Sequence, residues 1–310
     1  MTAAIHDNPA WSAARPALSV LIPFLRDDPD ALIALLDREA DGLNGAAEAI
    51  LLDDGTGDAA LTARLIARIN ASALPIRLIS LSRNEGRSIG RNRLATAARG
   101  SSLLFLDSDM RPDHDRFVQT WADLARAGET AVAFGGFSLL QAPDDARFAV
   151  HRSMAARSDC ITADQRALQP EKYVFTSNLL VRRDVFEAEA FDPGFSGWGW
   201  EDVEWAMRVS RRFQVEHIDN SATHMGLDTV ETLAAKYEQS APNFARVVAK
   251  HPDFVAAYPS YRVARRLQAV PGLKTIRPLF RQAARTSILP VGLRAFSLRL
   301  YRVALYAEAI

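Results

Sequence analysis

Three groups of residues in the 310-residue chain have types and spacings able to do chemistry. Asp107-Ser108-Asp109 places two carboxylates two residues apart, directly after the apolar run Leu103-Leu104-Phe105-Leu106. Both could approach one divalent cation, and hard oxygen donors suit magnesium or manganese, which in turn hold nucleotide phosphates. An isolated Asp-x-Asp also marks many solvated turns. The segment 195–205, Phe-Ser-Gly-Trp-Gly-Trp-Glu-Asp-Val-Glu-Trp, joins glycines that let backbone approach a ligand to two tryptophans with apolar faces for a sugar ring. It contains Glu201 and Asp202, paired carboxylates at a helix start. A carboxylate beside a bound hydroxyl can take its proton as that oxygen attacks. The same acids also suit a helix N-terminus for purely structural reasons. His224, in Thr-His-Met-Gly, is either a metal ligand or a structural histidine.

These residues need a frame, and the hydropathy pattern supplies one. Ala17 to Phe24 is short, apolar and β-branched and contains Pro23; helical spacing follows over Pro29 to Glu39. A second apolar run, Ala49 to Leu52, ends in Asp53-Asp54-Gly55, with a helix expected from Ala59 to Ile69. Ile76 to Leu81 leads into a polar loop with Asn84 and Gly86, then a helix from about Ser88 to Ala98, then the strand Ser102 to Leu106. Strand and helix alternate four times, which predicts a mostly parallel central sheet with helices on both faces. In such sheets ligands bind at the carboxyl ends of the strands. Pro23, Asp53-Asp54, Asn84 and Asp107-Ser108-Asp109 all fall at those ends. Each alone fits turn chemistry; their convergence points to a ligand site.

Farther on, Phe117 to Ala127 reads as helix, Ala131 to Leu140 as a strand broken at Gly135-Gly136, and Tyr173 to Val181 as a strand. From Thr229 the pattern is helical to the end. The expected organisation is an N-terminal tail at 1–16, a catalytic domain at 17–228 and a basic helical extension at 229–310.

Composition excludes several classes. With 37 basic and 37 acidic residues, 48% hydrophobic and 24% charged, the chain is neither disordered nor equipped with the basic excess that binds nucleic acid. The single cysteine, Cys160, cannot form an internal disulfide or a thiolate metal cluster, in keeping with a cytoplasmic setting. The longest stretch without charge, Thr130 to Pro143, is too short to span a bilayer.

The order of these motifs resembles glycosyltransferase family 2, which has the A-type glycosyltransferase (nucleotide-diphospho-sugar transferase) fold. The Gly-Trp-Gly-x-Glu-Asp segment is similar to that of β-1,4-galactosyltransferases and chondroitin polymerases. The resemblance covers roughly residues 17 to 226. It implies an inverting transfer of a sugar from a nucleotide-diphosphate sugar, a UDP-sugar first, to a hydroxyl of a glycan or lipid-linked saccharide, with Mn2+ or Mg2+, in polysaccharide biosynthesis. Residue by residue it implies nucleotide contacts at Pro23, Asp54, Asn84, Gly86, Arg91 and Asp107, with Asp54 meeting the base. It implies metal ligation by Asp109 and His224 with Asp107 nearby, and Asp202 as the general base with Glu201 gripping donor or acceptor sugar. Asn178, Trp198 and Trp200 are the sugar and acceptor candidates. Trp200 stands where the related motif often has glycine, and Asp53-Asp54-Gly55-Thr56 ends in threonine in place of the usual serine.

Two other functions compete. A catalytically silent sugar-nucleotide-binding module would lack the base and the metal ligands. A sugar nucleotidyltransferase, like a dinucleotide-dependent dehydrogenase, would carry a glycine-rich loop after the first strand, where this chain has Phe24 to Pro29 without glycine.

The overall neutrality conceals a cancellation. Residues 1–253 hold 27 basic and 36 acidic groups, whereas 254–310 hold ten basic groups and one acid, Glu308. Leu293, Phe296, Leu300 and Val303 recur at helical spacing among these cations. The tail therefore either packs on the catalytic body with its arginines in water or lies peripherally on an anionic membrane at the inner face.

Overall fold

The computed structural model describes residues 3–310. The strands β1 (Ala4–Asp7), β2 (Leu18–Phe24), β3 (Ala47–Asp53), β4 (Ile76–Ser80) and β5 (Ser102–Leu106) form the first half of the main sheet. Between them lie α1 (Asp30–Asp37), α2 (Ala40–Leu43), α3 (Ala59–Asn70) and α4 (Arg87–Ala97). There follow β6 (Met110–Pro112), α5 (Phe117–Ala127), β7 (Val132–Phe134), β8 (Phe137–Ser138), α6 (Ala149–Ser158), α7 (Ala163–Ala167), β9 (Asn178–Arg182) and α8 (Arg183–Ala188). The chain continues through α9 (Glu201–Val209), β10 (Val215–His217) and β11 (Ala222–His224). It ends in α10 (Val230–Lys250), α11 (Pro252–Val255), α12 (Pro259–Leu267), α13 (Leu273–Arg285) and α14 (Val291–Ala309).

The main sheet has the order β1-β4-β3-β2-β5-β9-β7-β10, and a small second sheet has the order β6-β11-β8. The β2, β3, β4 and β5 neighbours pair in parallel, as the alternating pattern predicts; β9 runs antiparallel between β5 and β7. Side chains alternate between the two faces with period two. Leu18, Val20, Ile22 and Leu104 join one core beneath α1, α3 and α5, while Leu21, Ile50, Leu103 and Phe105 join another beneath α4, α8 and α9. The break at Gly135 has a steric cause: a Cβ there would stand 2.5 Å from Asn178 Nδ2.

Two expectations need correction. Residues 4–7, expected within a tail, pair antiparallel with β4 from Ala4↔Ser80 to Asp7↔Arg77. Polar contacts hold them: Arg77 donates twice to Asp7 at 2.7 Å, and Trp11 lies beneath the Arg99 guanidinium at 3.8 Å. An edge strand held by ion pairs leaves no apolar alternation to read. The strand expected over Tyr173 to Val181 forms only from Asn178, because residues 170–173 close a 3-10 turn.

The helical C-terminal extension begins where Thr229 caps α10, its side chain accepting from the Thr232 N–H. It shares one apolar cluster with the body: Val150, Met154, Phe195 and Met207 pack with Tyr237, Phe244, Leu298 and Tyr306. Arg277, Arg281 and Arg285 pair with Glu308, Glu238 and Glu231, so three of the ten cations in 254–310 hold the tail to itself and to α10. No helix among the described residues is long and apolar enough to cross a membrane.

Candidate active site

The first wall of the site is made by the ends of β2, β3 and β4. Asp54 follows β3, and its backbone N–H donates to Phe24 O at 2.9 Å, holding it beside Pro23 on β2. Its carboxylate accepts from the N–H groups of Glu85 (2.7 Å) and Gly86 (3.0 Å), which ties the β4–α4 loop to the β3 end. Burial pushes the Asp54 pKa up, and those two N–H groups offset only part of the push. Gly55 is required here: at φ +86° its missing Cβ would meet Arg83 C at 2.3 Å. Gly86 begins α4 in a left-handed conformation, and Asn84 projects exposed from the same loop.

The second wall is built by the small sheet. β5 ends just before Asp107, and β6 pairs antiparallel with β11 so that His224 stands opposite Met110. Met225 N–H donates to Asp109 O at 2.9 Å, and His224 Nε2 lies 3.1 Å from Asp109 Oδ2. Burial opposes both charges, yet the hydrogen bond between them wins: Asp109 is held below its ordinary pKa and His224 above. Among the described residues no three His, Cys, Asp or Glu side chains gather as a metal set. The pair alone still fits a divalent cation that takes its other ligands from phosphate and water, since it offers one carboxylate and one imidazole. Gly226 keeps this space open, because a Cβ there would sit 2.0 Å from Asp109 Oδ2 and 3.4 Å from His224 Nε2.

The third wall is the turn into α9. Gly197, Gly199 and Trp200 all have positive φ, at 71°, 91° and 77°. Trp200 is the costly one, at roughly 1–2 kcal/mol for a residue with a Cβ. This explains why glycine suits the position. The strain is balanced by packing: the indole lies 4.9 Å from the Phe244 ring and donates to Tyr306 Oη at 3.0 Å. Asn243 fixes the turn from α10 by donating to Ser196 O and Gly199 O, each at 2.9 Å.

Arg91 joins the walls. It is 2% exposed and donates through Nη1 to Glu201 (3.2 Å) and through Nη2 to Asp107 (3.1 Å). Arg87 stands 3.9 Å from Glu201. Beside this cluster lies the half-buried Asp202. Burial first, and the Glu201 charge second, push its pKa up to about 7, against Arg91 and Arg87, which pull it down. A carboxyl poised there can exchange a proton near neutral pH.

The structure therefore gathers Pro23, Asp54, Asn84, Gly86, Asp107, Asp109, His224, Glu201 and Asp202 around the strand ends. Three candidates behave differently. Arg91, expected at the nucleotide, has both terminal nitrogens engaged by carboxylates and positions them instead. Asn178, expected at the sugar, is fully buried and donates to Gly136 O and Asn220 O. Trp200, expected at the acceptor, is turned into the C-terminal helices. Trp198 is half-buried beside Tyr237, with Lys236 Nζ 5.8 Å from its ring.

Sequence reasoning missed Arg87, Gly226 and the support of the 224–228 loop. His151 on α6 accepts the Asp228 N–H at 2.8 Å and lies 6.1 Å from the His224 ring; burial lowers its pKa to about 4, keeping it neutral. Lys236 pairs with Asp228 at 2.6 Å. Arg87 could have been noticed as the first residue of a helix opening beside a candidate phosphate site; the 151–228 contact leaves no mark in the sequence.

Among solved structures, the chain resembles the mannosyltransferase PcManGT from Pyrobaculum calidifontis in complex with GDP-Man and Mn2+. The TM-score is 0.56 at 15% identity, covering 100% of this chain and 90% of that one. It also resembles S. aureus TarS 1-349 in complex with UDP-GlcNAc, with a TM-score of 0.53 at 15% identity over 94% and 90% of the two chains. A third is glucosyl-3-phosphoglycerate synthase from Mycobacterium tuberculosis with Mn2+, UDP and glucosyl-3-phosphoglycerate, at 0.51 and 20% identity over 77% and 81%. These likenesses establish the A-type fold. No protein with a curated description matches the sequence. The model of glycosyl transferase family 2 matches residues 19–189, which contain β2 to β9 and the Asp54, Arg91 and Asp107-Ser108-Asp109 sites and stop before the 195–205 segment. With more than half its length matched, the chain belongs to glycosyl transferase family 2 and is a glycosyltransferase.

Proposed function

We propose that this glycosyltransferase moves a sugar from a nucleotide-diphosphate sugar, a UDP-sugar first, to a hydroxyl of a glycan or lipid-linked saccharide in polysaccharide biosynthesis, with inversion. One observation carries the reading: Arg91 bridges Asp107 at the strand end and Glu201 at the start of α9, so the Asp109–His224 pair and Asp202 serve one crevice. In this reading the nucleoside lies against Pro23 and Asp54, whose free lone pairs take an N–H of the base. Arg87, exposed at the start of α4, faces the diphosphate together with the helix N-terminus.

Asp109 and His224 would hold Mn2+ or Mg2+, with Asp107, two residues earlier and held by Arg91, beside them. When bound, the cation offsets charge developing on the diphosphate leaving group. The solved structures of PcManGT and glucosyl-3-phosphoglycerate synthase, both with Mn2+, support the use of a divalent cation. Asp202 accepts the proton of the acceptor hydroxyl. The hydroxyl oxygen bonds to the anomeric carbon as the nucleoside diphosphate departs from the opposite face. Glu201 keeps Asp202 basic by its adjacent charge, and Trp198 offers its ring to the incoming sugar.

A thermal-shift screen of nucleoside diphosphates with Mn2+ tests the donor reading. A ligand at a hundred times its Kd adds about 2.7 kcal/mol, which for a chain of this length raises Tm by roughly 4 °C. A uridine compound that does so only with metal is the expected result. No shift with any nucleoside diphosphate contradicts the reading.

A further inference from the structure

Away from the crevice, the outer surface of α12, α13 and α14 has a composition that the chemistry does not use. Seven of the twelve large apolar side chains that stand exposed among the described residues fall between Val263 and Phe296. The strongest are Leu279 on α13 (65% exposed), Ile288 in the connecting turn (88%), and Leu293 (47%) and Phe296 (56%) on α14. Ile276 and Leu279 are three residues apart, as are Leu293 and Phe296, so each pair shares one side of its helix. Other side chains of the two helices are covered: Leu273, Ala284, Ala295 and Leu298 lie in the cluster with α10. The hairpin thus completes its own packing and still presents apolar side chains outward.

Exposed cations lie on the same group of helices. Arg262, Arg265 and Arg266 on α12 and Lys274 on α13 are exposed, and among the described residues no carboxylate lies within 4 Å of them; the ion pairs of this region belong to Arg277, Arg281 and Arg285. No acid occurs from residue 254 to 307. Isolated exposed leucines are ordinary on protein surfaces. A concentration of them beside unpaired arginines, with acids absent, matches the interface of an anionic bilayer, where apolar groups enter the headgroup boundary and cations meet lipid phosphates.

We propose that the outer face of α12–α14 docks this enzyme peripherally on an anionic lipid surface. Neither apolar anchor pair nor cation cluster suffices alone, since stable interfacial attachment takes two such contributions together. None of these residues belongs to the crevice, so the docking can fail while the glycosyltransferase reading stands, and the reverse.

The test is sedimentation of the full chain with vesicles of phosphatidylcholine alone and of phosphatidylcholine with phosphatidylglycerol, at low and high salt. It compares wild type with the double variant Leu279→Asp, Phe296→Asp. Both side chains are exposed, so the variant keeps its melting temperature and its nucleotide thermal shift. The expected result is binding to the anionic vesicles that falls about tenfold or more on neutral vesicles, at high salt and in the variant. Absence of binding to anionic vesicles, or equal binding by both proteins, overturns the proposal. So does a dimer in solution that the double variant dissolves, because the face would then meet a second copy.

Discussion

Replacing Arg91 by methionine keeps the side-chain volume and removes the charge that joins Glu201 to Asp107. Glu201 is 4% exposed, so its carboxylate loses its close partner in a place where water cannot replace it. Breaking a buried pair from one side costs about 3–5 kcal/mol. Arg87, 3.9 Å from Glu201, compensates in part and favours the lower figure. At roughly 2.1 cal/mol/K per residue, 310 residues give an unfolding entropy near 0.65 kcal/mol/K, so about 3 kcal/mol lowers Tm by about 5 °C. Scanning calorimetry at pH 8 measures the loss. Arg91 also pulls Asp202 down, so its removal moves the acid limb of the pH–rate profile above about pH 7. A variant melting within about 1 °C of wild type at pH 8, with an unmoved acid limb, refutes the bridging role.

Asp202→Asn removes a carboxyl whose pKa is raised to about 7. Such a group binds a proton more tightly folded than unfolded, so wild-type stability declines as pH rises from about 4 to 7 and stays reduced above. The variant is therefore more stable at pH 8, by roughly 1–3 kcal/mol, and not below pH 4; a constant difference across that range contradicts the raised pKa. Gly226→Ala sets a Cβ 2.0 Å from Asp109 Oδ2. It should abolish the manganese-dependent part of the nucleotide thermal shift, and retention of that part would show that the metal lies elsewhere. Trp200→Gly relieves a left-handed φ of 77° but removes an indole packed on Phe244 and bonded to Tyr306. Truncating this half-buried tryptophan costs roughly 3 kcal/mol, the low end for buried aromatics, against 1–2 recovered, for a net loss of about 1–2 kcal/mol by urea titration. A stabilised glycine variant would show that strain dominates.

The parts of the site legible in the sequence were those carried by local pattern. Apolar runs ending in Pro23, Asp54 and Asp107 mark parallel strands, and the strand ends mark the crevice, because both follow from a few consecutive residues. Glu201 and Asp202 open α9 as their position after a glycine-rich turn suggests. Long-range contacts were not legible. Nothing local distinguishes Arg91, which looks inward at two carboxylates, from an arginine facing a phosphate. Asn178 is polar at the start of a strand and was read as a sugar contact, yet its amide serves Gly136 and Asn220 across the sheet. Trp200 has the type and place of an acceptor platform in the sequence, but Phe244 on α10 and Tyr306 on α14 hold its ring. The same contacts make the basic extension part of the site's scaffold, which charge counting could pose only as a choice between packing and membrane.

The central claim is that Asp202 takes the proton of the attacking hydroxyl while donor and metal are held elsewhere in the crevice. With water as the acceptor, the measurement needs no knowledge of the natural one: release of nucleoside diphosphate from the preferred nucleotide sugar with Mn2+, for wild type and Asp202→Asn, beside titration calorimetry of the diphosphate. The account predicts that the variant binds the diphosphate with wild-type affinity and releases it from the sugar at least about a hundredfold more slowly. Release at the wild-type rate by a variant that binds normally would contradict it.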